Sequence, residues 1–156
     1  MRISRLAIIG FLIALQATAA DSTILSLKID ILNPTVKLGD EIRIRITITS
    51  ESSQPVTFHE TNPFCNYPLK VLDYTGNTAP PTEFMKQIGC EFANAQTAGR
   101  NILVFLRPGE SHVDSDMEVT EVCVISEPGE YSVEVDRIFS GIGLVRSNVV
   151  KVSITP

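Results

Sequence analysis

Near the middle of the chain, His112, Asp114, Asp116 and Glu118 recur at every second position. Alternate residues of an extended strand share a face. The spacing would therefore gather three carboxylates on one side, with Val113, Ser115 and Met117 on the other. Asp114, Asp116 and Glu118 are in this way the candidate metal ligands, because Ca²⁺ takes about six to eight oxygen donors. The same pattern serves equally as a charged strand face that blunts edge-to-edge pairing. That second reading is preferred, so no bound metal is expected; no stretch has the spacing of an EF-hand loop. His59 and His112 are the two histidines, and zinc or copper could recruit them with Cys90, Cys123, Met85 or Met117. None of these residues stands at a C-x₂-C or H-x₃-H spacing. His59-Glu60-Thr61-Asn62-Pro63 opens like H-E-x-x-H but has no closing histidine.

Nucleophilic chemistry finds no better footing. Ser140-Gly141-Ile142-Gly143 has the glycines of a hairpin and not the G-x-S-x-G of a nucleophile elbow. Cys123 lies between Val122 and Val124, apolar company that raises a thiol pKa and quiets it. Phosphate-binding patterns are missing. The chain is expected not to be an enzyme and to use no cofactor.

The remaining cysteines read as structural. Cys65 and Cys90 fall in irregular stretches, whereas Cys123 falls in a strand-like run. The expected pairing is Cys65–Cys90, with Cys123 a buried free thiol. Closing such a loop is worth roughly 3–4 kcal/mol on chain-entropy grounds.

An oxidising compartment is implied by the first twenty residues. Arg2 and Arg5 precede the apolar run Leu6–Leu15, and Gln16-Ala17-Thr18-Ala19-Ala20 supplies small residues for cleavage. This is the order of a secretory signal peptide. Cutting after Ala19 fits A-x-A and after Ala20 fits T-x-A; 1–20 is taken as the leader and 21–156 as one domain. The apolar run is too short for a membrane span of about 20 residues. Export without membrane insertion follows, to a secreted or periplasmic location. Losing Arg2 and Arg5 leaves 11 basic against 18 acidic residues, so the formal charge moves from −5 to −7. Nucleic acid rewards clustered Lys and Arg, so it is not an expected partner.

The elements that must position these residues are strands. Leu25, Leu27, Ile29 and Ile31 alternate with polar residues, as do Ile42, Ile44, Ile46 and Ile48 against Arg43, Arg45, Thr47 and Thr49. Further strands are expected at Val56–His59, Leu69–Leu72, Ile102–Leu106, Met117–Ile125, Tyr131–Asp136 and from about Val149 onward. Turns fall at Asn33-Pro34, Leu38-Gly39-Asp40, Asp73–Asn77, Arg107-Pro108-Gly109-Glu110 and Glu127-Pro128-Gly129. Seven to eight short strands between such turns predict an all-β antiparallel sandwich.

Several segments carry a resemblance. They are Val36-Lys37-Leu38-Gly39-Asp40-Glu41 before the isoleucine strand, Leu106-Arg107-Pro108-Gly109-Glu110-Ser111, Pro128-Gly129-Glu130-Tyr131-Ser132-Val133, and Arg146-Ser147-Asn148-Val149. Together they resemble exported bacterial immunoglobulin-like domains. More weakly, the chain is similar to the all-β bacterial proteinase inhibitors. The resemblance implies an immunoglobulin-like sandwich with Tyr131 as a tyrosine corner. The chain has no Trp, so the antibody-type Cys…Trp…Cys core is excluded.

The stretch Thr78–Asn101 breaks the strand pattern. It carries Phe84, Met85, Ile88 and Phe92, apolar for a loop, and Cys90 would tether it. Loops on a rigid scaffold are where recognition concentrates. The alternative is a cover for an open end of the core, with a short helix around Glu83–Ile88. The preferred function is a non-catalytic secreted or periplasmic binding module with a protein partner. The alternatives are a protease inhibitor acting through an exposed loop and a calcium-stabilised structural domain.

Overall fold

The computed structural model describes residues 24–88, 90, 101–114 and 116–156. The expected leader, residues 1–20, and Phe92 lie outside them.

The described residues are mostly β, with three short helices among them. β1 (Leu25–Ile31) and β3 (Arg43–Ser50) run antiparallel, with Leu27 opposite Ile48 and Ile29 opposite Ile46. The sequence alternation survives intact: Leu25, Leu27, Ile29, Ile44, Ile46 and Ile48 are all buried. Each such side chain taken out of water contributes about 1.5–3 kcal/mol before chain entropy is counted. On the far side of β3 lie β7 (Ser111–Val113) and β8 (Met117–Glu118).

The second sheet has the order β10 (Gly143–Arg146), β9 (Gly129–Phe139), β11 (Val150–Thr155), β2 (Thr35–Lys37), and β5 (Leu69–Leu72) also pairs with β9. β2 and β11 are parallel. Along β9 the inward positions are Tyr131, Val133, Val135, Arg137 and Phe139. A third pair joins β4 (Val56–Glu60) to β6 (Ile102–Leu106), and its inward positions include Val56, Phe58, Glu60, Val104 and Leu106. The apolar inward residues of all three sheets meet in one cluster.

Among the described residues, eleven strand segments stand where seven to eight strands are expected, because single strands are interrupted. β10 and β11 both pair with β9 and are separated by Ser147–Val149. There the Val135 amide donates to Ser147 Oγ at 2.9 Å. The Asn148 side chain accepts from the Ile29 amide at 2.8 Å and donates to the Ile29 carbonyl at 3.0 Å. An amide side chain thus substitutes for a strand neighbour and ties β1 to the second sheet.

The expected strand Met117–Ile125 is corrected. Met117 and Glu118 pair with Ile44 and Arg43, where β3 begins, and further on Cys123 makes only an isolated antiparallel bridge to Pro81. Directly after Glu118 the Val119 amide reaches Ile42 O at 2.7 Å, and the chain coils into α3 (Val119–Val122). Val119 and Val122, three apart, both enter the core, which suits a helical turn and not a strand.

The acidic run is corrected as well. Val113 pairs with Thr47 and Met117 with Ile44, so four steps on this strand face three on β3. The extra residue is a bulge, and it reverses which side chains face inward. His112 is half-buried and Val113 exposed, whereas beyond the bulge Met117 is buried. Asp114, Asp116 and Glu118 therefore do not share a face. Asp116 bridges to Arg45 on the outer face through contacts of 3.0 and 3.3 Å.

After β5, Asp73 organises the turn to Asn77. Its carboxylate accepts from the amides of Thr75 at 2.8 Å and Asn77 at 2.9 Å, while Gly76 takes the left-handed φ of 86°. The Thr75 hydroxyl bond, ahead of the Thr75 and Asn77 amide bonds, holds the Asp73 pKa below its ordinary value. A lowered folded-state pKa gives stability that is present above the unfolded value near 4 and lost as pH falls through the folded one. Asp73→Asn should accordingly be less stable than wild type at neutral pH, with the gap closing toward pH 2 in urea titrations. A gap that stays constant with pH would refute the assignment.

Candidate functional site

Two neighbouring places hold the residues with chemical potential. The first is a polar knot inside the core. Glu60 and Arg137 occupy inward positions of β4 and β9, 6% and 4% exposed. Arg137 donates to Glu60 Oε1 at 3.3 Å, to the Tyr67 hydroxyl, and to the His59 carbonyl at 2.9 Å. Its guanidinium carbon lies 4.4 Å from the ring centroid of Phe139, 4.7 Å from Tyr67 and 4.9 Å from Phe58. Three rings give a desolvated cation the attraction that water would otherwise supply. Tyr67 donates to Glu60 Oε1 at 2.9 Å, and burial pushes its phenol pKa far up, so it remains a donor. His112 Nε2 is 3.3 Å from Glu60 Oε2, and Asp114 joins on the side that the bulge turned inward.

Glu60, Arg137 and Tyr67 were not among the sequence-level candidates. The available signal was phase: each charge continues an apolar alternation, Val56-Phe58-Glu60 on one strand and Val133-Val135-Arg137 on the other.

The second place is the tethered end. Asn62 caps and Pro63 opens α1 (Pro63–Asn66). The Asn62 side chain accepts from the Phe64 amide, and Pro63 takes the first turn, where no amide is needed. The turn aims Cys65 at Cys90, and the two are disulfide-bonded. α2 (Glu83–Ile88) is anchored below by Thr82, which donates to the Glu121 carbonyl at 2.5 Å and accepts from the Met85 amide at 3.2 Å. Phe64 and Phe84 meet edge to face at 5.2 Å. Of the expected interaction residues, Phe84 is exposed, Ile88 is half-buried, and Met85 packs against the core. The segment thus both covers the core and displays a ring.

Beside Phe64 a cleft of about 260 Å³ is lined by Arg43, Pro63, Met117, Asp116, Glu118 and Glu121. Three carboxylates face one guanidinium. Asp116 and Glu118, ligands in the weaker calcium reading of the acidic run, line this cleft, whereas Asp114 groups with His112 and Glu60. Cys123 is free and buried, its thiol pushed up to about 11 by burial, and so it is a poor nucleophile.

No family model matches the chain, and no curated protein matches it. Among solved structures it is similar to a β-glucosidase from Listeria innocua bound to isofagomine, with TM-score 0.44, 16% identity and coverage of 83% of this chain. It is similar also to a β-glucosidase from Erythrobacter marinus, with TM-score 0.43, 14% identity and coverage of 84%. The chain spans only 16% and 15% of those two chains. Likenesses this weak assign neither a family nor an activity.

Proposed function

We propose that the chain is an exported, non-catalytic binding module of the immunoglobulin-like sandwich type. It takes a protein partner at the tethered end. The observation that carries this reading is Phe84, held against Phe64 beside the acidic cleft by a helix that the disulfide pins. A fixed, exposed aromatic ring binds at low entropic cost. The occupant that fits is a partner segment carrying an apolar side chain next to Lys or Arg. The apolar group packs on Phe64 and Met117, and the cation meets Glu118 and Glu121.

The fold assignment is supported by Tyr131, whose hydroxyl donates to the Glu127 carbonyl at 3.0 Å, the contact that defines a tyrosine corner. Export is supported by the disulfide, which persists in oxidising compartments. No helix among the described residues is long and apolar enough to cross a membrane.

The test is an array of immobilised peptides pairing Leu or Phe with Lys or Arg, set against acidic counterparts of equal hydrophobicity. Wild-type protein should bind the basic set. Phe84→Ala and Glu121→Lys should each weaken binding by at least about tenfold, the equivalent of 1.4 kcal/mol. Ile138→Ala, which removes an exposed side chain on β9, should leave it unchanged. Binding that is indifferent to peptide charge, or to Phe84, would overturn the proposal.

A further inference from the structure

We infer that Glu60, His112 and Asp114 form a binding site for a zinc-class divalent cation. One ligand atom from each of the three lies within 4.8 Å of the other two. Donors around a tetrahedral Zn²⁺ at 2.0–2.1 Å sit about 3.3 Å apart. The Glu60–His112 pair already stands at 3.3 Å, so modest side-chain rotation closes the set.

The surroundings are arranged as they are behind metal ligands. A ligating carboxylate is usually held through its second oxygen. Glu60 Oε1 is held in this way by Tyr67 at 2.9 Å and Arg137 at 3.3 Å, leaving Oε2 toward His112. Arg137 is in turn fixed by three rings and the His59 carbonyl, so the carboxylate has little freedom to turn. Phe58 lies edge-on to the His112 ring at 6.3 Å and limits its rotation.

Access and donor type agree. The His112 side chain is 32% exposed, so one flank opens to solvent for entry and for a water ligand. An imidazole among three protein ligands suits zinc, whereas calcium wants more oxygen donors. This set is not the Asp114–Asp116–Glu118 strand face, which the bulge divides.

The experiment uses the processed protein after treatment with a chelator. Zn²⁺, Ca²⁺ and Mg²⁺ are titrated separately by calorimetry and by thermal melting, and Co²⁺ serves as a visible probe. One equivalent of Zn²⁺ should bind and raise Tm, and Ca²⁺ and Mg²⁺ should do neither. His112→Ala and Asp114→Asn should each weaken Zn²⁺ at least about tenfold, and His59→Ala should not. Circular dichroism confirms that the variants fold. Co²⁺ should give ligand-field bands without a sulfur charge-transfer band. Absence of saturable Zn²⁺ binding, full binding by both ligand variants, or a sulfur band placing the ion on Cys123 would each overturn the site.

Discussion

Arg137→Met should destabilise the protein by about 3–5 kcal/mol, because it leaves the Glu60 carboxylate buried without its cation. Methionine roughly keeps the volume and apolar contact with Phe58, Tyr67 and Phe139, so the loss is charge, not a cavity. Such a loss is a large share of the net stability of a domain this size. Removing both partners should be much milder. Arg137→Met with Glu60→Leu should recover at least half of the loss, since paired hydrophobic replacement of a buried ion pair is often close to neutral. Arg137→Lys should fall between wild type and Arg137→Met. An ammonium cannot present two parallel donors to Glu60 and the His59 carbonyl, nor stack flat on a ring. Urea unfolding of wild type, Arg137→Met, Glu60→Leu and the double variant closes a double-mutant cycle. A cost below about 1 kcal/mol for Arg137→Met is the range of exposed pairs, and it would mean that water reaches the knot.

The second large effect belongs to the staple. Replacing Cys65 and Cys90 together with serine should cost roughly 3–4 kcal/mol, from the chain entropy released when a link across 25 positions is cut. The loss should have a local face too. α1 has one turn and α2 six residues, both too short to hold themselves in water, so their geometry depends on the link and on Thr82. Amide exchange should therefore quicken at Phe64–Asn66 and Glu83–Ile88 far more than in β1 and β3. Peptide binding at the tethered end should disappear with it. A uniform loss of protection across the sheets, with α2 no worse than β3, would refute the local role.

Much of the sheet was legible from side-chain phase. Leu25–Ile31, Ile42–Ile48 and Tyr131–Val135 show the alternation that the strands keep, because one face of each must be hidden and the period of a strand is two. The cysteine pairing was legible by a different route, the contrast between irregular and strand-like surroundings. Asp73, by contrast, read only as part of a turn; that its carboxylate organises the turn is visible in the bonds alone.

The buried knot was the least legible part. Glu60 and Arg137 stand 77 positions apart, and each taken alone looks like a surface charge at a strand end. A charge in phase with an apolar face is tolerable only when its opposite arrives from another strand, and no local pattern announces that arrival. The divided acidic run shows the same limit. His112, Asp114, Asp116 and Glu118 alternate perfectly along the chain, yet one surplus residue against β3 parts them.

Composition and local pattern determined, by themselves, most of the strands, the dry face of the long alternating ones, and which two cysteines would pair. Tertiary structure alone decided where charges meet. It set Arg137 against Glu60, turned His112 and Asp114 inward, and left Asp116 and Glu118 beside Phe64. The reason is physical. Hiding apolar surface acts one side chain at a time and leaves a periodic trace, whereas an ion pair depends on register between distant strands, which a single inserted residue resets.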